Sequence, residues 1–376
     1  MPEILDVVQE GRVLASDWHE IAPAQRVLGD YRLGRLIGPD HLVHSFHNKH
    51  QGNAAADGFS PLFVCEFRDV LVNNLGNYVV SNGSTETEVQ ITDRYQQSNQ
   101  YLAGAKPAWA PERQTVRIES ACILMRPGDH IFGHWLVDIL PRLWLLSQLR
   151  DLSKTVFVLR QGTPSFALEM MRLAGVPDKN LIFFNPYREN LSLDRAIYVS
   201  NLRANQTVHP ILSDFGDWWA QRLLAQLSCG LPQIAGDRRR ILVSRRAWQK
   251  PMEHRICINA TEVENYIARA IGGVVLHPQS FSLPEQIALF LDAEVLIGEE
   301  GSGLHNSIFA QPGGHVMTLR GPMNHSLIQS GLCRARNQTL HAVFGETKPG
   351  DGAGRESNFS ISAAQIDQLI ADLVMA

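Results

Sequence analysis

Three stretches of the chain carry side chains able to pass a proton or hold an anion. In "GHWLVDILPRL" (133–143), His134, Asp138 and Arg142 recur every four residues inside an apolar run. On a helix that spacing puts all three on one face. A polar stripe in an apolar helix is costly to bury unless its members are paired; the plainer alternative is a surface helix with solvated ion pairs. In "SRRAWQKPMEHRICIN" (244–259), Arg245 and Arg246 directly follow an apolar strand, and Arg255 comes ten residues after Arg245. Guanidinium forks suit a diphosphate, although an ordinary basic loop would look the same. In "GEEGSGLHN" (298–306), Gly301, Ser302, Gly303, Leu304 and Asn306 open a predicted helix. Backbone N–H groups at such a start can hold an anion. Glu299 and Glu300 put acids where that anion would sit, and small residues at a strand–helix turn also serve packing alone. Together the three stretches point to a nucleotide diphosphate.

The surrounding elements must position these groups. From about residue 119, short apolar strands ("SACILM", "TVFVLR", "NLIFF", "AIYVSNL") alternate with runs of helical period ("GHWLVDILPRLWLLSQL", "SFALEMMRLAG", "HPILSDFGDWWAQRLLAQLSCG"). After a linker at 231–239, a second series follows: "RILVSRR", "NATEVENYIARAIGG", "VVLHP", "SLPEQIALFLDA", "EVLIG". Strands alternating with helices imply parallel sheets covered on both faces. The fold class expected is therefore α/β, with two Rossmann-like domains facing a cleft and a β-rich N-terminal extension. The boundaries are a β-rich region at 1–115, a Rossmann-like domain at 116–232, and a second at 233–376 that ends in an amphipathic helix. "HLVHSFHNKHQGNAAADG" (41–58) reads as a loop. Its histidines lack the carboxylates or cysteines of a convincing metal site.

Composition narrows the function. A net charge of −4 makes no case for nucleic acid or an anionic membrane. Five separated cysteines (Cys65, Cys122, Cys229, Cys257, Cys333) give neither a CxxC nor a disulfide framework, which fits a cytoplasmic location. No apolar run approaches the roughly 20 residues of a membrane span, and the first twenty residues do not resemble a secretory signal. Peripheral membrane association and oligomeric state stay open.

The order and spacing of "GHWLVDILPRL", "SRR…HRICINATEVE" and "SLPEQIALFLDAEVLIGEEGSGLHNSIFAQPGG" resemble glycosyltransferase family 61, over roughly residues 120–345. The family pattern has a His-Trp-x-x-Asp-x-x-Pro-Arg helix, an Arg-Asn-Glu-like stretch and a G-x-H-G-A/S-G-L-x-N block. The resemblance implies a GT-B fold, an inverting transfer, and a UDP-linked sugar donor on the C-terminal domain. It implies a glycan or lipid-linked acceptor on the N-terminal domain, and for a bacterial member a place in capsule or exopolysaccharide synthesis. Two positions depart from the pattern: Glu300 stands where the family has His, and Asn259 is followed by Ala260.

An inverting transfer needs a base for the acceptor hydroxyl and positive groups for the departing diphosphate. Asp138 is the first choice of base, with His134 as partner or substitute; Arg142 and Trp135 fall on the acceptor side. Arg245, Arg246, Arg255, Asn259, Glu300 and the 301–306 turn fall on the donor side, with Glu300 free to accept hydrogen bonds from sugar hydroxyls. No DxD triplet is present, so no cofactor and no metal are expected. A non-catalytic glycan- or nucleotide-sugar-binding protein with the same fold is the alternative. A nucleotide-sugar epimerase or dehydrogenase lacks its dinucleotide fingerprint.

Overall fold

The computed structural model describes residues 3–6, 15–22, 25–26, 31–56, 58–59, 61–76, 78–82, 87–92, 108–204, 207–227, 234, 236–246, 255–322, 326–347 and 357–374. It is mixed α/β with parallel sheets, in two compact units. One unit is Met1–Arg26 with Gly58–Asn205; the other is Val27–Asp57 with Gln206–Ala376.

The chain begins in the first unit with β1 (Glu3–Asp6) and β2 (Asp17–Ala22). It supplies β3 (Leu33–Ile37) and helix α1 (Asp40–Ala56) to the second unit, then returns to the first. There follow β4 (Leu62–Val72), β5 (Tyr78–Asn82), β6 (Thr87–Thr92) and β7 (Gln114–Ile123). Helix α2 runs through Phe132–His134, a π-helical Trp135–Ile139 and Leu140–Ser147. Next come β8 (Phe157–Arg160), α3 (Ser165–Leu173), β9 (Leu181–Phe184) and β10 (Glu189–Val199). The strand order is β1-β6-β5-β4-β10-β7-β8-β9, with β2 also on β4. The β10-β7-β8-β9 side is parallel, whereas β4 runs antiparallel to β10 from Leu191↔Val72 to Val199↔Val64. Phe63, Phe67, Tyr78, Ile123, Val158 and Leu193 lie in its core.

The second unit adds α4 (Leu212–Leu224), β11 (Asp237–Val243), α5 (Ala260–Ile271), β12 (Gly273–Leu276), α6 (Leu283–Phe290) and β13 (Val295–Glu299). After a 3₁₀ helix at Leu304–Phe309 come β14 (His315–Arg320), α7 (Ile328–Ala335), β15 (Thr339–Phe344) and α8 (Ala363–Val374). Its sheet is parallel throughout, in the order β12-β11-β13-β14-β15-β3. The near-continuous burial of β13 and β14 fits strands covered on both faces. From β11 the chain goes outward to β12 and returns to the other side of β11 as β13. That reversal is a topological switch point, where open α/β sheets bind ligands beyond the strand ends.

Two expectations need correction. Residues 1–115 do not form a separate extension: β4, β5 and β6 continue the sheet of β7, while β3 and α1 join the second unit. Strand pairing joins residues far apart in sequence, so a local pattern cannot assign a strand to its sheet. Residues 40–56 are helix, not loop. Leu42, Phe46 and His50, four residues apart, are all buried, and Phe46 meets Phe344 edge-on. Part of the 231–239 linker lies outside the described residues.

Candidate active site

Helix α2 owes its π-helical segment to its sequence. Pro141 has no N–H to give to Val137, and its ring would crowd that carbonyl. The helix widens there, with the Leu140 N–H donating five residues back to the Trp135 carbonyl. The widened segment carries Asp138 into the interior, where it is fully buried.

Three side chains meet at Asp138. Arg203 Nε donates to Oδ1 at 2.7 Å, and its Nη2 donates to Oδ2 at 2.7 Å. His134 Nδ1 lies 2.6 Å from Oδ2. Arg126 Nη1 is 3.8 Å from Oδ1 and donates to Asn201 Oδ1 at 3.0 Å. Burial alone would raise the Asp138 pKa; the charges of Arg126 and Arg203 and the bond to His134 outweigh it and hold the group well below the usual carboxylate range. A carboxylate only accepts, so His134 carries a proton on Nδ1, which in the neutral imidazole leaves the lone pair on Nε2. The His134 side chain keeps 20% of its surface exposed, against none for Asp138. The geometry therefore gives His134, not Asp138, access to a substrate.

The loop before α2 fits around this imidazole. Gly128 adopts φ 85°, and a Cβ there would meet His134 Cδ2 at 2.8 Å and Nε2 at 2.9 Å. Trp135 is buried and donates from Nε1 to the Asp129 carbonyl at 2.8 Å, which braces that loop. Arg142 is buried too, donating to the Val199 carbonyl at 3.2 Å and the Ile123 carbonyl at 2.8 Å. Neither side chain faces an acceptor as expected; both tie backbone segments together, because an apolar helix buries what it carries on every face.

In the second unit, Arg245 and Arg255 line a small hollow with Glu299, Glu300, Leu319 and Phe359. The hollow measures ≈ 10 Å³, room for about one water. Arg245 follows β11 and Glu299 ends β13, so both sit at the switch point. Arg245 Nη1 lies 3.9 Å from Glu299 Oε2 and donates to the Glu300 carbonyl at 3.5 Å. Arg255 adopts a left-handed φ of 61°, and its buried Nε makes no hydrogen bond among the described residues. Burial pushes the Glu299 carboxyl up, against the pull of Arg245.

The other residues expected on the donor side are engaged elsewhere. Arg246 donates to Glu264 and to Thr261 Oγ1 on α5. Asn259 donates to the Ile361 carbonyl at 2.8 Å and accepts the Ile361 N–H at 3.1 Å, which clips α5 to the segment before α8. Glu300 is 4% exposed, and its Oε2 accepts from Arg320 Nη2 at 2.8 Å. It braces the interior through that bond and also lines the hollow beside Arg245 and Arg255. Leu304 starts a six-residue 3₁₀ helix instead of an α-helix. The Leu304 N–H already donates to the Gly301 carbonyl at 3.0 Å, and the His305 N–H to the Ser302 carbonyl at 3.3 Å. Asn306 is buried and donates to the Gly303 carbonyl. Two of the amides expected at 301–306, those of Leu304 and His305, are therefore consumed within the turn.

Arg203, Arg126 and Arg320 escaped the sequence reading. Arg203 lies 65 residues from Asp138, and nothing local marks it. Among the described residues no three His, Cys, Asp or Glu side chains are grouped to hold a metal ion, and no helix is long and apolar enough to cross a membrane.

Residues 132–317 match the family model Glycosyltransferase 61. The match takes in α2, with His134 and Asp138, as well as Arg245, Arg255 and the 298–306 turn. It supports glycosyltransferase family 61 and, with it, glycosyltransferase activity. A search of curated proteins found no match.

Proposed function

We propose that the protein is an inverting glycosyltransferase of the GT-B type, moving a sugar from a UDP-linked donor to a hydroxyl of a glycan or lipid-linked acceptor. The observation that carries this reading is the chain Arg203–Asp138–His134, in which only the imidazole is accessible. His134 Nε2 takes the proton of the acceptor hydroxyl as its oxygen attacks the anomeric carbon. The bond from that carbon to the diphosphate breaks, and the electron pair leaves with UDP. Asp138 orients the imidazole and stabilises its cation, and Arg203 fixes Asp138.

Arg245 and Arg255 counter the departing diphosphate. The buried Arg255 Nε supports this role, since a buried donor is nearly always partnered. Donor entry displaces Glu299, whose 3.9 Å contact with Arg245 is long for an ion pair. These cations make the reaction metal-independent, in a protein that is cytoplasmic or peripheral at a membrane face.

The test is UDP release from a panel of UDP-sugars with glycan acceptors, with and without EDTA. Wild type should turn over in both conditions, and His134→Ala should not. A His134→Ala protein as active as wild type would remove the mechanism, and loss of activity on chelation would remove its metal-free form.

A further inference from the structure

A cavity of ≈ 320 Å³ opens in the first unit, among segments that follow β4, β7, β8 and β9. The loops after β7, β8 and β9 lie beyond the ends of parallel strands, where α/β sheets take ligands, and the volume lies within the range of small-molecule pockets. Its wall includes Arg126, Asp129, His130, Arg160, Thr163 and Tyr187. None of these served in the catalytic reading, apart from the contact of Arg126 with Asp138.

The wall carries two arginines against one carboxylate, and that carboxylate is already paired. Arg160 Nε donates to Asp129 Oδ2 at 2.9 Å, and Nη1 donates to the Asn74 carbonyl at 3.2 Å. Those bonds fix the guanidinium plane and use two of its five N–H donors. The Arg160 side chain is 25% exposed, on the cavity side of a strand end. Tyr187, at 61% exposure, offers an aromatic ring suited to the C–H face of a sugar. Gly128 belongs both to this wall and to the packing of His134, so a single backbone glycine joins the cavity to the imidazole edge.

We infer that this cavity seats the acceptor, a pyranose carrying an anionic group, carboxylate or phosphate, which Arg160 binds. The word acceptor rests on the transferase reading above; ring binding itself does not. A fixed guanidinium matches a planar carboxylate or a phosphate edge, and Tyr187 supplies the apolar contact.

Calorimetry on the full chain tests this with three probes: methyl β-glucuronide, glucose 6-phosphate and methyl β-glucoside. One anionic sugar should bind about tenfold tighter than the neutral one, the worth of a charge-assisted hydrogen bond. Whichever does so identifies the group. Arg160→Gln should reduce that affinity to the neutral level. Tyr187→Ala, at an exposed side chain, should weaken all three probes together and does not depend on the Arg160 network. Equal binding of the three, no binding, a preference that survives Arg160→Gln, or affinities unmoved by Tyr187→Ala would each overturn the proposal. UDP titrated into the same samples reads the donor site separately: Arg160→Gln should leave it unchanged, and a wild type that fails to bind UDP counts against the transferase reading instead.

Discussion

Arg203 grips both oxygens of Asp138, Nε on Oδ1 and Nη2 on Oδ2, each at 2.7 Å. A two-pronged grip on a buried carboxylate fixes its plane, and with it the direction of the bond to His134 Nδ1. In the mechanism proposed above the pair divides the labour: a carboxylate held well below its usual range inside, and an imidazole whose second nitrogen takes the proton.

Asp138→Asn and His134→Gln should fail in different ways. Asp138→Asn leaves Arg203 and Arg126 facing a neutral amide in the interior, and breaking a buried pair costs about 3–5 kcal/mol. His134→Gln touches a partly exposed side chain and should cost little stability, while turnover falls about 10²–10⁴-fold, the usual worth of a positioned base. Urea unfolding and kcat on both variants make the comparison. An Asp138→Asn protein as stable as wild type would sink the buried-pair account, and normal turnover in His134→Gln would move the base elsewhere.

Gly128→Ala tests the loop that holds the imidazole. The added Cβ would sit 2.8 Å from His134 Cδ2, at a φ of 85° that alanine resists. The ring must rotate away, and misplacement of about 1 Å can cost 10²-fold in rate. The expected result is a large fall in kcat with a stability loss of about 1–2 kcal/mol. Unchanged kcat would show that Nε2 is not the working atom.

Much of the fold could be read from the sequence because buried parallel strands are short apolar runs, as "EVLIG" and "HVMTLR" are. His134 and Asp138 were legible for a related reason, since i and i+4 share a helix face. Their roles were not, because burial and the Arg203 contact come from tertiary structure. Arg142 and Trp135 occupied the right helix, but side chains on a helix buried all round have no face for a substrate. Helix α1 was missed although Leu42, Phe46 and His50 carry the four-residue spacing; its asparagines, glycine and histidines masked that signal.

A histidine at position 300, as in the family pattern the chain resembles, should destabilise this protein. Arg320 is fully buried and donates from Nη2 to Glu300, from Nε to Thr318 Oγ1, and from Nη1 to the Ser326 carbonyl. Glu300→His removes the acid to which Nη2 donates. The loss should approach the roughly 3–5 kcal/mol of a broken buried pair, while Glu300→Gln, which keeps an acceptor, should lose less. Chemical denaturation ranks the three proteins, and a Glu300→His variant as stable as wild type would show that Arg320 finds another partner.

Acidification should weaken the second unit through two buried histidines. Burial pushes His50 down to about 4, helped by nearby Arg320 and His47 and opposed by its bond to the Phe46 carbonyl. Burial also lowers His209 to about 4, with Arg334 acting in the same direction. In the unfolded chain both titrate near 6.5. Between about pH 6.5 and 4 the unfolded chain therefore holds more protons than the folded one, and stability falls as pH falls. The neutral-histidine contribution is complete above the unfolded pKa, and each group should have lost about 2 kcal/mol of it by pH 5. His50→Gln keeps a donor for the Phe46 carbonyl and a partner for Ser330 but cannot titrate. It should be less stable than wild type at pH 7.5, where the imperfect fit dominates, yet lose less between pH 7.5 and 5. Unfolding free energies of the two proteins across that range decide the matter: parallel pH profiles would show that His50 does not couple protonation to folding.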